Sequence, residues 1–537
     1  MDNNVELHQK KDLDKTNSEH EHTWQAELDE IQLRQQYAEK LGGEKNIKRQ
    51  HDSGKLTSRE RIHSLLDEGS FHEYGALTGK ANYDQDGNFI DSIPSNIVIG
   101  KGKIKKQKVV VSADDFTVRG GSSEAASPEK MVFAENLALD LQAPLIRLVD
   151  AAGGSIRLLE KNQSTKIPGY AQWNMAEMMG QIPVIGVALG PCAGLGALRV
   201  VASHFSVMVK GTSQVFAAGP QVVAPGVKEN VTKEELGGSQ VHVHKSGAVH
   251  NEAKDEYDAL NQVKKFLSYL PSNIYKLPAR IPSSDPIDRC EDELASIIPR
   301  DKRKVYKMRK VLELIFDKDS LFEMRKHYGR STITMFGRIN GYPVGIMAND
   351  PYIYGGSMSA ESAEKIENFV DLCDTFHLPI VNLVDQPGVS IGSQAEAKGT
   401  IKKAIRAMMT LSQVNIPWST VFIRRSFGVA GAAYAPRGRA NVRYAWPSAH
   451  WGSIPVEGGV EAAFRKELGN AEDPEQKLKD LIDYYKRFES PLRTAERFGI
   501  EEMIDPRRTR PILAEWVEEA YDQLPQLVGP RGRTMRI

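Results

Sequence analysis

The chain repeats itself. APLIRLVDAAGG around Asp150 is answered 235 residues later by LPIVNLVDQPGV around Asp385. QIPVIGV from Gln181 is answered by NIPWSTV from Asn415, with Pro183 and Pro417 234 residues apart. GKGKIKKQKVVVSADD is answered by FGRINGYPVGIMANDP, with Gly102 and Gly337 again 235 apart. SLLDEGSFHE is answered by LIFDKDSLFE at an offset of 250, so the first half carries extra residues between Gly75 and Ile99. Matches that recur in the same order require two copies of one fold. The expected layout is a polar helical leader over 1–59, a first domain over 60–285 and a second over 286–537.

Each copy follows one plan. A short apolar strand (109–112; 344–348) precedes a polar loop and an amphipathic helix (128–141; 360–376). A strand ending in Asp follows (145–150; 380–385), then a second helix, another strand (184–189; 420–423) and a Gly-rich turn. Alternating strands and helices predict a parallel sheet with crossover helices, an α/β class. Continuously apolar strands such as PVIGVAL suit a sheet covered on both faces. In the leader, Thr57 and Glu60 fit a capping box, with Gly69 as the expected helix stop.

Charge and cysteine content exclude several classes. Lys+Arg and Asp+Glu both number 70, so there is no basic excess for nucleic acid. Three cysteines cannot build a disulfide framework. The first twenty residues hold acids and lysines but no apolar core, which argues against a secretory or transit segment and for a cytoplasmic protein. Ile182–Leu198 carries no charge, but its prolines and glycines mark strand, turn and helix in a buried core rather than a membrane span.

GxxxxGK[ST] and HExxH are both missing. His242, His244 and His250 cluster in VHVHKSGAVH without a Cys or carboxylate pattern to complete a metal site, so no metal is expected. The feature left is a pair of small-residue turns at equivalent places: GPCAGLGA from Gly190 and SFGVAGAA from Ser426. Each follows an apolar strand and opens a helix. Small residues admit a ligand to the backbone, and N–H groups at a helix start stabilise a developing oxyanion. Two such holes suit carbon-acid chemistry on a thioester or amide, with two enolate-like species.

With KLTSRERIHSLLDEGSF, SADDFTVRGGS, MGQIPVIGVALGPCAG, MVKGTSQVFAAGPQVV, VTKEELGGSQVHVHKSGAVH, RRSFGVAGAAY and RYAWPSAHWGSIPVEGGVEAAFR in order, the chain resembles the carboxyltransferase (β) subunit of biotin-dependent acyl-CoA carboxylases, in the crotonase superfamily. The resemblance implies two tandem crotonase-like (ββα spiral) domains. Acyl-CoA would bind mainly to the first and carboxybiotin, carried on a separate biotin carboxylase/carboxyl carrier subunit, mainly to the second, in a homohexamer. It implies that carboxybiotin releases CO2. The biotin enolate, held in the second hole, would take the α-proton, and the thioester enolate in the first hole would attack CO2 without a protein base. Carried over, the first hole involves Gly194, Leu195 and Gly196, and the second Gly431 and Ala432. Gly153, Gly154 and Ser155 would lie near the CoA, and Ala433 and Tyr434 would line the acyl and biotin pocket.

The chain departs from the family at three points: GPCAGLGA replaces GPCAGGA, DAAGGSIRLLEKNQ replaces DSGGARIQEG, and FGVAGAAY replaces YGGAY. These bear on the substrate more than on the reaction. Two alternatives stand beside carboxylation: a biotin-dependent carboxyacyl-CoA decarboxylase subunit, and a non-catalytic scaffold. Cys192 is expected to be a small buried residue rather than a nucleophile. Arg424, Arg425, Arg437, Arg439 and Arg443 would bind CoA phosphates or form salt bridges. Asp150 and Asp385 would be an acid pair or loop anchors.

Overall fold

The computed structural model describes residues 23–165, 174–434, 441–533 and 535–536. The first 22 residues of the expected leader, and Arg437 and Arg439 of the basic patch, lie outside the described residues.

In the first half the strands are β1 (His72–Tyr74), a hairpin of β2 (Gly79–Tyr83) and β3 (Phe89–Pro94), β4 (Ile97–Ile104), β5 (Gln107–Asp114), β6 (Leu145–Ala151), β7 (Val184–Ala193), β8 (Phe205–Val209), β9 (Gln214–Phe216) and β10 (Asn251–Ala253). In the second they are β11 (Phe322–Met324), β12 (Thr332–Ile339), β13 (Tyr342–Asn349), β14 (Ile380–Gln386), β15 (Trp418–Phe427), β16 (Val442–Ala445), β17 (His450–Gly452) and β18 (Glu502–Met503). The first sheet has the order β1-β4-β5-β6-β7-β8-β10 with β9 on β7; the second has β11-β12-β13-β14-β15-β16-β18 with β17 on β15. Element by element, the two are copies. The β2–β3 hairpin, absent from the second copy, accounts for the extra residues before Ile99.

Register follows the duplication. Gly102 faces Val109 across β4–β5, and Gly337 faces Val344 across β12–β13. From β5 to β8 and from β13 to β16 the strands run parallel. Helices Pro128–Asp140 and Ala360–Thr375 make the crossovers. Every residue of β12 and β14 is buried, as expected of strands covered on both faces.

The halves share one core. Phe205 stacks on Phe266 at 4.8 Å, Phe266 meets Phe336 at 5.9 Å, and Phe336 meets Phe369 at 5.4 Å. This aromatic chain runs from the first sheet into the second, where large buried rings stabilise more than their area alone.

Three local expectations shift. The Thr57–Glu60 capping box forms, but its helix ends at Leu65, and Gly69 sits in the turn beyond. Both strands before the glycine turns run longer than their apolar cores, to Ala193 and Phe427, because β9 and β17 pair with their last residues. The leader folds into helices Gln25–Glu39 and Glu44–Asp52. Among the described residues no helix is long and apolar enough to cross a membrane, and Ile182–Leu198 contributes β7 and the helix Leu195–Val201.

Candidate active site

The centre of each sheet ends in a buried aspartate whose charge is fully met. Asp150 accepts from Lys55 Nζ at 2.9 and 3.1 Å, Arg61 Nη2 at 3.0 Å and Gln50 Nε2 at 3.1 Å. Asp385 accepts from Arg425 Nε at 2.6 Å, Arg424 Nε at 3.0 Å and Tyr306 Oη at 3.0 Å. Burial pushes the Asp385 carboxyl up, but Arg425 and Arg424 overcome that and hold it below the ordinary range. Each backbone N–H binds the equivalent side chain of the neighbouring strand, Asp114 for Asp150 and Asn349 for Asp385. These aspartates therefore anchor the strand ends. Of the expected basic patch, Arg424 and Arg425 are held by Asp385 and Arg443 by Glu501.

Beyond these anchors β7 and β15 turn into helices. Ala193 pairs with Phe216 on β9, and Phe427 pairs with Gly452 on β17. The next residues, Gly194 and Gly428, have φ of 56° and 62°, which only glycine adopts freely. Gly194 N–H donates to Phe216 O at 3.2 Å, so it is not available to a substrate. Leu195, Gly196 and Ala197 open the helix Leu195–Val201, and among the described residues their N–H groups have no acceptor. Leu195 thus keeps its donor despite its bulk.

Matching Gly428 with Gly194 moves the second set of donors. Val429 and Ala430 take the places of Leu195 and Gly196 at the start of the helix Gly428–Ala433. Gly431 falls one position later still. A side chain there would stand 2.7 Å from the Ser426 backbone, so Gly431 lets the helix pack against β15. Ala432 is exposed, Ala433 packs against the core, and Tyr434 is buried with its carbonyl accepting from Thr420 Oγ1 at 2.9 Å. Burial pushes the Tyr434 phenol up to about 12. The sequence held the signal for this shift: the Pro183–Pro417 offset of 234 also separates Gly194 from Gly428.

The loop after β6 is brought to the first turn. Gly153 lies against Ala193, its carbonyl accepting from Ser123 N at 3.1 Å. Ser155 N donates to Ser123 Oγ at 3.0 Å and its hydroxyl to Glu124 at 2.5 Å, while Gly154 is exposed.

Two cavities lie near these turns, the first reaching Pro191 but not Leu195 or Gly196. One of about 870 Å³ lies beside Pro191 and Gly120 and is walled by the leader helices, with Lys40, Arg49, Arg119 and Lys233 on its rim. Among the described residues no salt bridge engages those four cations. Composition did not flag them, because they are scattered over nearly 200 residues of a neutral chain. The other cavity, about 230 Å³, lies beside Gly428, Gly431, Ala432, Ser426 and Trp451. Neither is lined by Ala433 or Tyr434.

Cys192 is buried, its Sγ against Val149 O at 3.4 Å and Gly190 O at 3.3 Å, and burial pushes its thiol far above the ordinary range. The histidine run departs from an exposed polar loop. Residues Gln240–Lys245 form a π-helical turn, and His250 is buried with Nδ1 at 2.8 Å from Ser206 Oγ.

Comparison with known proteins agrees with this geometry. The carboxyl transferase domain family matches residues 49–525. The chain is 35% identical to the propionyl-CoA carboxylase carboxyltransferase subunit of Haloferax mediterranei, over 91% of this chain and 95% of that protein. It is 32% identical to the methylmalonyl-CoA decarboxylase subunit alpha of Propionigenium modestum, over 89% of this chain and 93% of that one. The transcarboxylase 12S crystal structure, a hexamer with methylmalonyl-coenzyme A and methylmalonic acid bound, superposes with a TM-score of 0.84 at 31% identity, covering 96% of this chain and 97% of that one. Two duplicated crotonase-like domains, matched to this family over nearly their whole length, place the chain in the carboxyl transferase domain family as a biotin-dependent acyl-CoA carboxyltransferase subunit.

Proposed function

We propose that this chain moves CO2 between carboxybiotin on a separate subunit and the α carbon of a short acyl-CoA, in the carboxylating direction, as the core of a homohexamer. The observation that carries this reading is the matched pair of helix-opening turns, the second lining a cavity of its own and the first following Pro191 on the wall of a larger one. The first turn serves the thioester. The N–H groups of Leu195 and Gly196 point to where its oxygen becomes an enolate, and fixed donors at a developing charge lower the barrier without reorganising. The Gly153–Ser155 loop closes one side of that turn. The cavity rimmed by Lys40, Arg49, Arg119 and Lys233 suits the phosphates of CoA, with residues between 37 and 55 serving as one wall.

The second turn serves the biotin ring. Val429 and Ala430 supply the donors there, and the small residues Gly428, Gly431 and Ala432 leave room in the adjoining cavity. Carboxybiotin supplies CO2 when it is bound. Asp150 and Asp385, both neutralised, are withheld from proton transfer, and Cys192 is withheld from nucleophilic attack. The propionyl-CoA carboxylase and 12S relatives support a short acyl group.

The test is biotin-dependent loss of CO2 from malonyl-, methylmalonyl-, methylglutaconyl- and glutaconyl-CoA, run with the purified chain and free biotin. Turnover strongest with methylmalonyl-CoA is expected. Arg49→Glu and Arg119→Glu should raise KM for the CoA ester with little change in kcat. If CoA esters bind but only glutaconyl-CoA turns over, the short-acyl assignment fails. If nothing binds, the non-catalytic reading replaces it.

A further inference from the structure

One cluster of side chains stands apart from both turns. His244 lies in the turn Gln240–Lys245, Glu252 on β10, and His327 in the loop after β11. Their ligand atoms all lie within 4.8 Å of one another. His244 Nε2 is 3.2 Å from Glu252 Oε2, and the two imidazoles stack at 4.2 Å with their planes 20° apart. Two residues come from the first half of the chain and one from the second.

A simple ion pair does not account for this arrangement. His244 and Glu252 suffice for one, without the His327 imidazole that stacks on His244. A divalent ion uses all three. Bonds of about 2.0–2.1 Å in a tetrahedral site place neighbouring ligand atoms about 3.3 Å apart, close to the His244–Glu252 spacing. Two imidazoles and a carboxylate are a donor set for borderline ions such as Zn2+. His244 and Glu252 side chains are 26% and 20% exposed, which leaves an entry path and room for a water as fourth ligand.

The frame is already built. Arg325, two residues before His327, donates from its backbone N–H to Asn251 Oδ1 at 3.0 Å and from Nη1 to Gly247 O at 2.8 Å. Asn251 adjoins Glu252 in sequence, and Gly247 lies three residues after His244. The loop that carries His327 is thus pinned to the segment that carries His244 and Glu252. None of the three lines either turn cavity.

We propose that His244, Glu252 and His327 form a structural binding site for a divalent transition-metal ion, of which Zn2+ is the probe, stapling the two halves of the chain together. Binding to the folded state only would raise stability by mass action.

The experiment takes the untagged full-length protein, stripped with chelator, and measures Zn2+ uptake by calorimetry and the shift in Tm. Wild type should take up one equivalent and gain thermal stability. His244→Ala and His327→Ala should each lose both, His242→Ala should lose neither, and Glu252→Gln should weaken uptake. Circular dichroism of the stripped variants checks that they are folded, and Co2+ loaded in place of Zn2+ should give the visible absorption of a four-coordinate site in wild type. No uptake by wild type overturns the site. So does uptake lost in His244→Ala but retained in His327→Ala, since that places the ion on the first half alone.

Discussion

Gly194 and Gly428 share a positive φ, 56° and 62°, at the ends of equivalent strands, and a helix begins at each. On the proposed function that equivalence, more than the similarity of the two Gly-rich strings, assigns the N–H groups that face a substrate.

Proline substitution tests it directly. Leu195 and Val429 stand in the first turn of their helices, where proline is tolerated and removes only an N–H that the helix does not use. Leu195→Pro and Val429→Pro should each lower kcat by about 10²–10³, the usual cost of losing one oxyanion donor, with the oligomeric state of the wild type unchanged. Steady-state carboxyl transfer and gel filtration check this. Full activity in Val429→Pro would return the second hole to Gly431 and Ala432.

Asp150→Asn leaves Lys55 and Arg61 buried beside a neutral amide. Breaking a buried charge pair typically costs about 3–5 kcal/mol, so the urea midpoint should fall sharply. At pH values where the variant is folded, the pH profile of kcat/KM should keep its shape, because the carboxylate is an anchor rather than an acid.

Burial drives two histidines down to about 4: His204, whose Nδ1 accepts from Val184 N, and His377, whose Nδ1 accepts from Arg531. The unfolded chain takes up protons at these positions below about 6.5, while the folded chain resists until about 4. Stability is therefore full above the unfolded value and falls as pH drops through that window. Urea midpoints between neutral and mildly acid pH should show the slope, and His204→Gln should reduce it. An unchanged slope in the variant would refute the assignment.

Cys192 and Cys373 are buried, and Cys290 is exposed. A thiol reagent should label one cysteine per folded chain and all three in denaturant. Cys192→Ala should leave kcat within about twofold, since the thiol touches only carbonyls in the strand end. Rapid labelling of Cys192 in the native protein would contradict its burial.

The duplication, the parallel strands with their crossover helices and the Thr57 cap were legible in the sequence, because each rests on short-range pattern or on repetition. The proposed function places the second pair of donors two residues before the pair that the resemblance implies. Small residues serve helix packing and ligand access alike, and at Gly431 the string could not separate the two uses. The cationic rim and the His244–Glu252–His327 cluster were illegible for another reason. Their members come from separate elements, and only the folded chain brings them together. His327 answers a histidine run that looked incomplete because its missing partners lay on another strand and in the other half of the chain.

The two buried aspartates draw their counter-charges from different places. Asp385 takes Arg424 and Arg425 from the strand beside it, whereas Asp150 depends on Gln50, Lys55 and Arg61, upstream of the sheet. The ribosome delivers those upstream cations about ninety residues before the carboxylate they must neutralise. During synthesis the counter-charges of Asp150 are therefore already present when it emerges, while those of Asp385 arrive only with the following strand. A shortened start site just past Arg61 would yield a chain whose later half still has its central charge balanced and whose earlier half has lost the groups that balance its own.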